Sequence, residues 1–170
     1  NSASTPRAYE NSRAAYLLSY LPGAVSHLPI ISPVALRLSE SSVYHRSSTD
    51  ELVTAAATDP FLSARLIGLA NSVAYNTDHN VVRTVSDAID RIGPERANRV
   101  LTEAPRLVLG PTDRNKMHGF WMRCVAVAHA ARGLAGSATQ TAIDVDAMYW
   151  MGLIHDIGHL LEIHYFRKRL

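Results

Sequence analysis

The stretch "DPFLSARLIGLANSVAY", residues 59 to 75, decides the fold. Asp59 is a good N-cap, and Pro60 suits the first helical position, where an N–H has no partner anyway. Leu62, Leu66, Leu69 and Val73 then recur at helical spacing and form one apolar face. Asn71 and Ser72 fall where this helix ends. They read as capping or turn residues, and alternatively as part of a surface that binds a ligand or partner.

The same grammar extends in both directions. Upstream, Ser48 and Glu51 form a capping-box pair ahead of "DELVTAAAT". Before that, "LPIISPVALRLSES" places Pro33 in a first helical turn behind Ser32, although Val34, Leu36 and Leu38 also fit a strand alternation. "AAYLLSYL" carries a short helical stripe over residues 14–21, after a polar tail at 1–13. Downstream, Thr84 opens a helix with the stripe Val85, Ala88, Ile89 and Ile92. Gly93 is its C-terminal cap and Pro94 starts "PERANRVLTEA". A polar loop is expected over "TDRNKMHG". A helix "FWMRCVAVAHAARGLAG" follows, ending at Gly133 and Gly136, and then a last helix from Ala147 to Phe166, capped by Asp144 or Asp146. The expectation is an all-α, compact multi-helix domain with no substantial sheet.

Composition narrows the function classes. Of 170 residues, 47% are hydrophobic, enough for a sizeable core. Seventeen Lys and Arg against 15 Asp and Glu leave a net +2, which argues against a nucleic-acid footprint. The single cysteine, Cys124, forms no internal disulfide. No apolar run approaches the ~20 residues of a membrane span, and the start lacks a secretory signal's apolar core. A cytoplasmic location is the expectation. Arg65, Arg83, Arg91, Arg96 and Arg99 can contact anions, but read as solvated or paired surface charges. Trp121 and Trp150 are expected in the core.

The chemistry-bearing segment is "GLIHDIGHLLEIH", residues 152 to 164. His155 and His159 share a helix face, as in the metalloprotease pattern "H-E-x-x-H". Asp in place of Glu reaches less far, and Gly158 interrupts the helix. The neighbours His155 and Asp156 point roughly 100° apart on a helix. They converge on one metal only if the helix bends or ends there. A divalent ion so held activates water for phosphoester hydrolysis. Otherwise the pair is a packed, hydrogen-bonded part of the core.

"MGLIHDIGHLL" resembles the "GLLHDIG" signature of the HD superfamily of metal-dependent phosphohydrolases. "LPIISPVALRL", "DELVTAAATDP", "DPFLSARLIGLANSVAYN", "VRTVSDAIDRIGPERANRVL" and the Trp-containing helix stand before it in the order seen in the HDOD family, the HD-related output domain of bacterial signalling proteins. The resemblance covers roughly residues 28 to 166. It assigns 14–170 to one HDOD-like helical domain, truncated or incomplete at its C-terminus. It also implies a first metal ligand, a His on the preceding helix, where this chain reads "WMRCVAVA" with Arg123 at that position. His129, six residues on, is turned by about 240° from Arg123. The Asp expected as a further ligand lies beyond Leu170.

The resemblance therefore implies a non-catalytic regulatory or output domain with a degenerate site of Arg123, His155 and Asp156. No cofactor and no metal are expected; any metal would lie at His155 and Asp156. The implied partner is an unidentified signalling protein, with a cyclic dinucleotide or other nucleotide as a candidate ligand. Neither nucleic acid nor membrane is expected. Asn71, Ser72 and Arg83 form the candidate binding surface. The rival readings are a metal-dependent phosphohydrolase or phosphodiesterase, and a nucleotide sensor in the altered pocket. If Arg123 and Asp156 form a buried pair, Asp156→Ala is expected to cost ~3–5 kcal/mol.

Overall fold

A computed structural model describes residues 29–42, 45–77, 79–105, 111–138 and 143–158, with the backbone alone at 111–114. The tail at 1–13, the stripe at 14–21, and His159, Glu162 and His164 lie outside the described residues. Seven helices occur among the described residues, and no strand. They are α1 Pro33–Ser41, α2 Thr49–Ala57, α3 Pro60–Ala70, α4 Val85–Ile92, α5 Pro94–Thr102, α6 Pro111–Ser137 and α7 Val145–Ile154. The all-α expectation holds.

The helix starts follow from side chains placed one residue ahead of each run. Ser32 accepts from the amides of Val34 and Ala35, which settles the "SPVALRL" ambiguity in favour of helix. Ser48 and Glu51 form the reciprocal capping box. Thr84 accepts from the Asp87 amide, and Asp144, not Asp146, caps α7. Gly93 ends α4 at φ 82°, a region open to glycine and strained for other residues.

Two boundaries differ from expectation. "TDRNKMHG" is helical, because α6 already begins at Pro111. Proline at the first position starts a helix readily, and nothing polar in that segment stops one. α6 runs to Ser137, so Gly136 lies at its end as expected while Gly133 lies inside it. Glycine lowers helix propensity but ends a helix only where the chain turns left-handed. The last helix, expected to continue to Phe166, breaks at His155 and Asp156 into a turn.

The core is one cluster. It contains Ile30 from the lead-in, Leu52, Phe61, Leu62, Leu66, Ile89 and Leu101 from α2 to α5, and Cys124, Ala128, Trp150 and Leu153 from the α6–α7 pair. Trp150 is core as expected. Trp121 is half-buried and does different work: its indole Nε1 donates to the Thr58 carbonyl at 2.6 Å. The Tyr149 hydroxyl donates to the Ala57 carbonyl at 2.7 Å. Ser63 donates to the Ala56 carbonyl and Thr58 to that of Ala55. A helix end leaves its last carbonyls unpaired. Here α2 finds its donors on α3, α6 and α7, so one helix terminus fixes the α6–α7 pair against the rest.

Asp59 performs the matching task at the next helix start. It is fully buried. Its Oδ1 accepts from the amides of Phe61 and Leu62. Its Oδ2 accepts from those of Ile31 and Ser32 at 2.6 and 2.8 Å. Burial pushes this carboxyl above its ordinary pKa, and the four amide donors act against that push.

Candidate functional site

The site is built where α6 meets the end of α7. These helices approach so closely at Gly152 that a Cβ there would lie 2.9 Å from the Ala128 Cα and 3.0 Å from the Val127 carbonyl oxygen. The glycine lets the last turn of α7 lie against the middle of α6. Just past it, α7 stops. His155 keeps helical backbone angles (φ −53°, ψ −32°) as the C-cap of α7, the turn falls at His155 and Asp156, and Gly158 lies two residues later.

This placement brings Asp156 to Arg123. The guanidinium Nη2 stands 2.7 Å from the carboxylate Oδ2. The guanidinium carbon also lies 5.5 Å from the centre of the Phe120 ring, a cation–π contact on the same helix. The pairing of Arg123 with Asp156 matches expectation, but its burial does not. The two side chains are 52% and 32% exposed, so the pair faces solvent rather than the core. The cost of ~3–5 kcal/mol expected for a buried, abandoned charge therefore does not apply.

His155 is exposed, and its Nδ1 lies 2.8 Å from the Gly152 carbonyl oxygen. A carbonyl only accepts, so Nδ1 carries the hydrogen. His129 faces away from Asp156, with its ring 5.3 Å from Tyr149 in an edge-on contact. Cys124, next to Arg123, is buried, and its thiol is pushed up to about 11, by burial first and then by the Asp156 charge.

A metal would need Asp156, His155 and at least one further donor. Among the described residues, no group of three or more His, Cys, Asp or Glu is placed to hold one. The position against Asp156 is filled by a guanidinium, which donates hydrogen bonds and cannot ligate. Among the described residues, the arrangement does not fit a metal.

The Asn71, Ser72 and Arg83 group lies at the other end of α3. Asn71 is the C-cap of α3, and its side chain grips the backbone of Val82 twice. Nδ2 donates to the Val82 carbonyl at 2.8 Å, and Oδ1 accepts from the Val82 amide at 2.8 Å. Ser72 donates to the Leu69 carbonyl. Arg83 is exposed. Beside them Val73 and Val81 project apolar side chains, 95% and 53% exposed. Sequence reading placed Val73 on the inner face of α3; it lies past the helix end, where that periodicity no longer applies.

The profile of the HDOD domain matches residues 28–170, and the chain belongs to that family. Among solved structures it is similar in fold to the MmoQ response regulator of Methylococcus capsulatus str. Bath. A crystal structure of a fragment of that protein superposes with a TM-score of 0.64 at 22% identity, covering 84% of this chain and 54% of that one. A second crystal structure of MmoQ gives 0.67 at 24% identity, covering 81% and 55%. This chain thus spans about half the length of those chains. No curated protein matches it. No helix among the described residues is long and apolar enough to cross a membrane.

Proposed function

We propose that this HDOD domain is a non-catalytic regulatory module of bacterial signal transduction, acting by binding. The observation that carries the reading is the Arg123–Asp156 ion pair at 2.7 Å. A fixed positive charge occupies the position from which a cation would have to work. A metal-bound nucleophile at this carboxylate would first have to displace the guanidinium against like-charge repulsion. The MmoQ likeness suggests the signalling setting by analogy of fold alone.

The partner surface would be the end of α3 and the following loop. Exposed Val73, Val81 and Arg83 there combine apolar area with a charge. Asn71 and Ser72 hold the shape of that surface. The partner would be another signalling protein in the cytoplasm.

Elemental analysis of the purified protein and its turnover of a generic phosphodiester with manganese test the reading. Expected are substoichiometric metal and no turnover. Stoichiometric metal together with turnover abolished by His155→Ala would establish the rival phosphohydrolase. Calorimetry with cyclic dinucleotides decides the nucleotide-sensor alternative, for which an effect of Arg123→Ala on affinity would speak.

A further inference from the structure

A second feature lies on elements that contribute nothing to the Arg123–Asp156 pair. Between the loop ahead of α2 and the α4–α5 junction is an open cleft of about 370 Å³. Arg46, Arg96 and Arg99 line it, with Glu95 as its one acidic wall, so three cations face one anion, a local balance of +2. Arg46 pairs with Glu95 at 3.0 Å. Among the described residues Arg96 and Arg99 have no acidic partner. They stand at i and i+3 on α5, so their like charges share one side of the helix.

The walls are fixed. Asn98 is buried and accepts from the Ser47 amide while donating to the Ser47 carbonyl, each at 3.0 Å. That double link between residues 51 apart holds the Arg46 loop over the start of α5. The start of α5 adds to the field. Its N-cap is Gly93, which offers no side chain to the first amides. Ile92 and Pro94 give the cleft an apolar edge.

We infer that this cleft is a binding site for a phosphorylated small molecule of about nucleotide size. The placement of three arginines along one open cleft, two of them without an acidic partner among the described residues, carries the inference; the helix start strengthens it. Guanidinium groups bind phosphate oxygens in pairs, and the cavity falls in the size range of small-molecule sites. A phosphate would also relieve the repulsion between Arg96 and Arg99.

The test is a titration of the ¹⁵N-labelled chain with pyrophosphate, with adenosine diphosphate and with adenosine, followed by amide spectra. Expected are saturable shifts of the Glu95 and Arg96 amides with the two phosphates and none with adenosine. The double substitution Arg96→Gln and Arg99→Gln, with its fold verified from the same spectra, should weaken binding at least about tenfold. Arg132→Gln combined with Lys116→Gln, which removes the same two charges elsewhere, should leave it unchanged. Shifts that do not saturate, or equal loss in both variants, overturn the site. So does tighter binding of an oligoglutamate peptide than of pyrophosphate, which would make the cleft a contact for an acidic protein segment.

Discussion

The carboxylate of Asp59 joins two segments at once: it caps α3, and its Oδ2 holds the Ser32 amide at 2.8 Å, 27 residues away. An asparagine cannot replace it, because the amide nitrogen would face two N–H donors. Asp59→Ala should cost about 3–5 kcal/mol, since four amides lose a charged, buried acceptor. Asp59→Asn should recover less than half of that. Urea unfolding measures both. An asparagine variant as stable as the parent would show that the lead-in does not depend on this carboxylate.

Gly152 is required by distance rather than by backbone angle. A Cβ would meet Ala128 and Val127 backbone atoms at 2.9 and 3.0 Å, and the Ala131 Cβ at 3.1 Å. Backbone does not yield as a flexible side chain does. Gly152→Ala should therefore destabilise by about 1–3 kcal/mol. Gly133→Ala, with nothing within 4 Å, should stabilise by about 0.5–1 kcal/mol through helix propensity. Thermal melting of the two variants should move in opposite directions.

Local chemistry made much of this fold legible. Ser32, Ser48, Asp59, Thr84 and Asp144 each cap a helix within three residues of themselves, and that information is contiguous in the chain. What α2 does with its last carbonyls was not legible, because the donors Tyr149 and Trp121 arrive from far along the sequence. The start of α6 is hard to read because its polar composition resembles a loop, although Pro111 stands at a helix-opening position. The Arg123–Asp156 pairing followed from the family pattern. Its exposure did not, because burial depends on what else packs there.

Asn71 clasps the loop that ends at Val82 by two hydrogen bonds of 2.8 Å. Asn71→Ala removes both and should cost about 1–3 kcal/mol. Asn71→Asp keeps the acceptor but turns a carboxylate toward the Val82 carbonyl, and should do no better. Hydrogen exchange at the Val82 amide should accelerate in both variants. Unchanged protection would mean that neighbouring groups hold the loop.

Cys124 should resist alkylation in the native chain. Its folded pKa of about 11 lies above the ordinary 9.0, so the thiolate is the disfavoured form and appears only as pH rises toward 11. At pH 8 the thiolate fraction falls by about 100-fold relative to an ordinary thiol, before burial slows access further. Iodoacetamide labelling should be correspondingly slow, and fast in urea. Rapid native labelling near pH 8 would show that the α6–α7 contact opens readily.

Arg123 and Asp156 should contribute little to stability despite their short contact. Both are solvent-facing, and such pairs are worth about 0–1 kcal/mol because water and salt screen them. Asp156→Ala should therefore change unfolding free energy by less than about 1 kcal/mol. A double-mutant cycle with Arg123→Ala should give a coupling that shrinks in 1 M salt, where the screening length falls to about 3 Å. A salt-independent coupling of about 3 kcal/mol or more would mean that the pair is shielded in solution, and would return Asp156 to the core network that the sequence suggested.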